Sequence, residues 1–152
     1  MKQYSFYNVD LLIDGEAVDG FTDTNSIITA ARSREAHNKI VDARGKPVVN
    51  TIADLTGTIT FTILQTSDWN AKLRSKLETT QATGLSGNAG TFVPMQIAIT
   101  DKMGNSRVTG VNAWIAAHPT FVRGTGVNSV TWIIDMERII FSEGTVPEVT
   151  PQ

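Results

Sequence analysis

The chain has 152 residues, a formal net charge of -2 and no cysteine. That length holds one compact domain, the missing cysteine excludes a disulfide framework and a thiolate metal site, and the absence of a basic block argues against phosphate-driven nucleic-acid binding. The apolar fraction of 41% sets a thin core, and abundant Thr and Asn with scarce Leu favour strands and turns over helices.

In chain order, Tyr7, Val9, Leu11 and Ile13 alternate with more polar neighbours and predict a half-buried strand. Asp14-Gly15 supplies the positive-φ pair of a tight hairpin, with Glu16 to Phe21 returning. No basic-then-apolar leader precedes this strand, so no signal peptide is expected. Ile27 to Arg34 reads as a further strand, with Ile28, Ala30 and Arg32 on one face. Residues 34–54 then read as an extended arm, a long hairpin with its tip at Arg44-Gly45-Lys46-Pro47, or else as an ordinary exposed loop. Ile40, Val41, Val48 and Val49 flank that tip without a core periodicity, which suggests burial against something other than this chain.

Thr56 to Leu64 gives the clearest strand: Thr56, Thr58, Thr60 and Thr62 share one face, while Gly57, Ile59, Phe61 and Ile63 share the other. Ser67 then predicts an N-cap, and Asp68 a carboxylate in the first turn, of a helix running to about Thr80. Trp69, Leu73 and Leu77 make its apolar stripe, expected to pack on a sheet as core. A glycine-rich loop is expected over Ala82 to Gly90. Met95, Ile97 and Ile99 begin the next strand, Asp101 to Asn105 turn it into Arg107 to Ala117, and His118-Pro119 is expected to end it. Val127 to Phe141 forms the last long strand, ahead of an extended tail over about residues 144–152. About seven strands, one helix and no βαβ rhythm predict a mainly β fold, an antiparallel β-sandwich or barrel with one packed α-helix. No stretch approaches the ~20 apolar residues of a membrane helix.

Catalytic constellations are not found in the text. His37 and His118 sit in no metal-spacing motif, and Gly84-Leu85-Ser86-Gly87 lacks the Lys and strand–helix context of a phosphate cradle. Asp135 and Glu137 are the best carboxylate pair, sharing a strand face, with Arg138 expected on the opposite one. A sugar-binding sandwich or small hydrolase built on Trp114, Trp132 and that pair is the rival class. Both Trp lie inside apolar strands, where core packing is the expectation.

Three stretches together resemble a known family: Tyr4-Ser5-Phe6 with Val9; Gly57-Thr58-Ile59-Thr60 leading through Leu64-Gln65-Thr66-Ser67 to Asn70-Ala71-Lys72-Leu73; and Asn128-Ser129-Val130-Thr131-Trp132 leading through Ile134-Asp135 to Arg138-Ile139. The chain over roughly residues 4 to 142 resembles the tail tube proteins of contractile-tailed bacteriophages. That resemblance implies a non-enzymatic structural subunit, one domain over 1–152, without cofactor or metal. It implies homohexameric rings whose strands form a continuous barrel around a lumen, stacked into a hollow tube that passes DNA without binding it specifically. The implied partners are other copies, the tail sheath, the tape measure protein, and the baseplate and terminator proteins; the implied location is the virion tail, and the host cytoplasm during assembly. Within that picture Ile40, Val41, Arg44, Lys46, Val48 and Val49 are the expected contacts between rings. Thr56, Thr58, Thr60, Thr62, Asp135 and Glu137 are the lumen-facing candidates. A tail terminator, a baseplate hub component, or the tube of a bacteriocin or injection system would share the same layout.

Overall fold

The structure, a computed structural model, describes residues 1–87 and 92–149. Nine strands and one α-helix follow one another among the described residues: β1 (Val9–Ile13), β2 (Glu16–Ala17), β3 (Ile28–Arg32), β4 (His37–Val41), β5 (Pro47–Thr51), β6 (Gly57–Leu64), α1 (Trp69–Leu85), β7 (Met95–Asp101), β8 (Ser106–Ile115) and β9 (Ser129–Ser142). All strand pairing is antiparallel, in a seven-stranded sheet of order β2-β1-β7-β8-β9-β6-β3 and a separate two-stranded sheet, β4-β5. The mainly β, antiparallel expectation with one helix holds; the two strands beyond the expected seven are β4 and β5, into which the 34–54 arm folds as a hairpin.

The local chemistry explains the pairing. Asp14 (φ 51°) and Gly15 (φ 84°) are both left-handed, as the two-residue turn between β1 and β2 requires. β2 is shorter than the predicted return: after Ala17 the chain keeps one bond to β1, from the Val18 N–H to the Leu11 carbonyl, then crosses to β6, where Phe21 bridges Ile63. Tyr7 departs from the predicted alternation. It sits in a 3-10 turn, Phe6–Asn8, and is exposed, while Phe6 turns inward and meets Phe21 edge-on with ring centroids 5.5 Å apart.

β6 alternates without exception: Gly57, Ile59, Phe61 and Ile63 are buried, and the intervening Thr58, Thr60 and Thr62 are half-buried on the other face. Its partner β9 continues that pattern with Trp132, Ile134 and Met136 inside. One core cluster then joins β1, near one end of the sheet, to β6, near the other, together with β7, β8, β9 and the helix. A flat sheet would not bring such distant strands to one cluster, so the sheet curls into a partial barrel with α1 packed against its concave, apolar side.

The helix is displaced relative to expectation. Asp68, not Ser67, occupies the N-cap position and makes no capping bond with its side chain. The Ser67 hydroxyl donates instead to the Asp19 carbonyl at 2.9 Å and accepts from the Trp69 N–H at 3.3 Å. The helix also runs to Leu85, so Ala82 to Leu85 are helical rather than loop, and residues 88–90 of the predicted loop lie outside the described residues. Trp69, Leu73 and Leu77 are buried as predicted. The indole N–H of Trp69 donates to the Ala17 carbonyl at 3.1 Å, and that of Trp132 to Asn70 Oδ1 at 3.0 Å, so both buried rings have polar partners.

β8 ends at Ile115, ahead of His118-Pro119, because the chain leaves the sheet to run over the helix. There Arg74 Nη2 donates to the Pro119 carbonyl at 3.1 Å, and the His118 ring lies between Arg74 (3.2 Å) and Gln81 (2.9 Å). Trp114 is 37% exposed, not core. Ala113 and Ile115 take the inward positions, and period two leaves Trp114 on the outer face beside Asp135.

Candidate assembly interface

The β4–β5 hairpin is pre-shaped at its tip. Asp42 Oδ1 accepts the backbone N–H of Arg44 and of Lys46, each at 2.9 Å, and Gly45 takes the left-handed conformation at φ 81°. Pairing sets Ile40 opposite Val48 on one face, and Val41 opposite Pro47 with Lys39 opposite Val49 on the other. Neither face is covered. Ile40, Val41, Val48 and Val49 are 66%, 54%, 58% and 68% exposed. An ordinary surface hairpin hides one face on its own domain; this one presents apolar side chains on both. Lys39, Arg44 and Lys46 have no ion-pair partner among the described residues.

The second surface is the face of the sheet turned away from the helix. Thr58, Thr60 and Thr62 stand opposite Asp135, Ile133 and Thr131 of β9. The Thr58 hydroxyl donates to Asp135 Oδ1 at 2.7 Å, and the Thr62 and Thr131 hydroxyls lie 3.2 Å apart. Thr56 precedes β6 and is not part of this ladder; its hydroxyl and N–H both bind Asp54 Oδ1, at 2.6 and 3.0 Å. Those two hydrogen bonds, the hydroxyl first, hold the Asp54 carboxyl below its ordinary pKa against a small opposing burial, with Arg34 assisting.

The structure pairs Asp135 and Glu137 with different partners, Thr58 for the first and Asn112 Nδ2, at 2.6 Å, for the second. β9 changes which residues face inward between Met136 and Ile139, both buried, so Arg138 lies at the exposed step between them rather than on a regular opposite face. Two carboxylates each satisfied by a neutral side chain, on an open face, are not arranged as a general acid and its partner. No group of three or more His, Cys, Asp or Glu suited to a metal ion occurs among the described residues. Among the described residues no helix is long and apolar enough to cross a membrane.

Among the exposed apolar groups that sequence reading missed are Trp114 and Ile133, on the outer sheet face, and Phe121 in the segment over the helix. Strict alternation through Ala113-Trp114-Ile115 carried the signal for the first.

A protein-family model described as the Bacteriophage PhiTE tail tube protein matches residues 1–143. The chain belongs to that family. It is a structural subunit of a phage tail tube, a component of the virion tail that assembles with copies of itself. Among solved structures, the tube-terminating cap of the anti-feeding prophage, determined by cryo-EM, shares the fold at a TM-score of 0.56 and 14% identity, over 93% of each chain. Hcp1 from Flavobacterium johnsoniae aligns at a TM-score of 0.42 and 11% identity, over 90% of the tube subunit and 98% of its own chain. A search of curated protein sequences gave no match. The family match stops at residue 143, so the tail from Gly144 onward lies beyond it.

Proposed function

We propose that six copies of the subunit close into a ring through their sheets and that rings stack through the β4–β5 arm into a hollow tube. The observation that carries this reading is the arm, whose four aliphatic side chains are exposed on both faces of a hairpin that its own domain leaves uncovered. An isolated two-stranded hairpin is marginal in water, so such an arm gains its stability from a neighbour. Ring closure removes sheet edges, whereas a head-to-tail contact between rings does not close and therefore propagates.

In this reading Ile40, Val41, Val48 and Val49 are buried on stacking, with Arg44 and Lys46 beside them. The face carrying Thr58, Thr60, Thr62, Asp135 and Glu137 lines the lumen. Short hydroxyls and carboxylates predominate on this patch, so DNA passes it without being held. The subunit performs no chemistry. It is made in the host cytoplasm, surrounds the tape measure protein during assembly, is covered by the sheath on its helix side, and joins the baseplate at one end and the terminator at the other.

Replacing Val48 and Val49 together with Asp tests the arm. Tube growth, followed by light scattering and sedimentation, is expected to stop, while circular dichroism stays that of the unaltered subunit. Normal growth by this variant would remove the arm from the stacking interface.

A further inference from the structure

The curled sheet does not close. Among the described residues β3 pairs only with β6, and a cleft of about 550 Å3 separates it from β7 and β8. Phe6, Val9, Ile28, Ala30, Ile99 and Val108 line this seam, each only half-buried. Four of them, Ile28, Ala30, Ile99 and Val108, already pack on the core, so the seam is where the apolar interior reaches the surface. Two carboxylates, Asp101 and Glu143, also line it and have no ion-pair partner among the described residues. At one end the Arg32 guanidinium lies over the Phe141 ring, 5.9 Å from its centroid.

We propose that this seam receives the tip of the β4–β5 arm of a second copy, an inference that rests on the arm being the stacking element. The two surfaces complement each other in kind. The seam offers an unfinished apolar floor and unpaired carboxylates; the arm offers Ile40 and Val48 on one face and the unpaired cations of Lys39, Arg44 and Lys46 around them. The subunit's own arm does not fill the seam, since none of its residues lines it. The volume lies within the ~300–1000 Å3 of compact binding clefts, room for several side chains and not for a whole hairpin. The arm therefore enters by its tip, Ile40 and Val48 inward, with Lys46 and Arg44 at the carboxylates.

The natural absence of cysteine makes the test direct. A Val41→Cys protein and an Asn25→Cys protein are mixed under conditions where the unaltered chain forms tubes, then treated with a short bismaleimide; Asn25 is exposed at the seam and Val41 is at the arm tip. The expected result is a covalent dimer in the mixture and only background in either variant alone. A Thr79→Cys partner, on the exposed side of α1, is expected to give no dimer. Cross-linking to Thr79→Cys, or none to Asn25→Cys, overturns the seam assignment. A charge exchange adds a second reading: Glu143→Lys is expected to slow growth about two- to fivefold, the range of a single exposed ion pair, and Lys46→Glu in the same chain to restore it. Lack of rescue counts against the pairing. The two levels separate cleanly. If Val48→Asp/Val49→Asp still builds tubes, the arm reading falls; if it does not, and Val41→Cys fails to reach Asn25→Cys, the seam alone falls.

Discussion

Two glycines show how closely the sheet is packed at single positions. A Cβ at Gly110 would lie 2.5 Å from Ile97 Cγ2 and 2.7 Å from Met136 Sδ, both on fully buried side chains. A Cβ at Gly57 would collide with Ile139 and come within 2.9 Å of the Ala31 carbonyl. Gly84, in the last turn of α1, has nothing within 4 Å. Gly110→Ala is accordingly expected to cost about 1–3 kcal/mol, the usual penalty for forcing a methyl into a filled core. Gly84→Ala is expected to raise stability by up to about 1 kcal/mol through helix propensity. Urea denaturation of both variants checks the pair; equal effects would mean the β7–β8–β9 packing is looser than the geometry indicates.

At the scale of elements, one ion pair ties the first hairpin to the helix. Asp14, in the β1–β2 turn, meets Lys76 Nζ at 2.6 Å and accepts the Gln96 N–H at 3.0 Å. Partial burial pushes the Asp14 carboxyl up, but the Gln96 hydrogen bond together with the bond and charge of Lys76 outweighs it, leaving the pKa below its ordinary 3.8. A folded-state pKa below the unfolded one contributes stability that is present above the unfolded value and lost as pH falls through the folded one. The subunit is therefore expected to lose stability as pH drops below about 4, and Asp14→Asn, which keeps the left-handed turn, to flatten that loss. Both side chains are more than one-third exposed, so the effect is a modest one. Urea midpoints at pH 7 and pH 3 measure it, and an unchanged slope in Asp14→Asn would assign the acid sensitivity to other carboxylates.

The same scale shows what was legible in the sequence. β6 could be read almost residue by residue, because one of its faces is wholly buried and a period of two then has only one register. The arm was legible from a Gly-Lys-Pro turn between aliphatic pairs, and the helix stripe from its spacing of four. The helix end was not, since Gly84 reads locally as a breaker and is tolerated in a last turn that packs nothing against it. Trp114 was misplaced by treating an apolar run as uniformly core, where its two neighbours had already taken the inward positions. The seam was invisible because β3, β7 and β8 meet there only through the curl of the sheet, a long-range property that no window of sequence contains.

At the scale of the molecule, the features join in one design. The core closes the domain on the helix side, a face bearing hydroxyls and carboxylates lies opposite, and an uncovered apolar arm and a half-open seam are left exposed. These unfinished surfaces belong to a protein that completes its structure by association. The central claim is self-stacking, and negative-stain electron microscopy of the purified subunit across a range of concentrations tests it most directly. Hollow tubes of uniform width that lengthen with concentration and vanish in Val48→Asp/Val49→Asp are the expected result. Single rings that never stack, or a subunit that stays monomeric at every concentration, would contradict it.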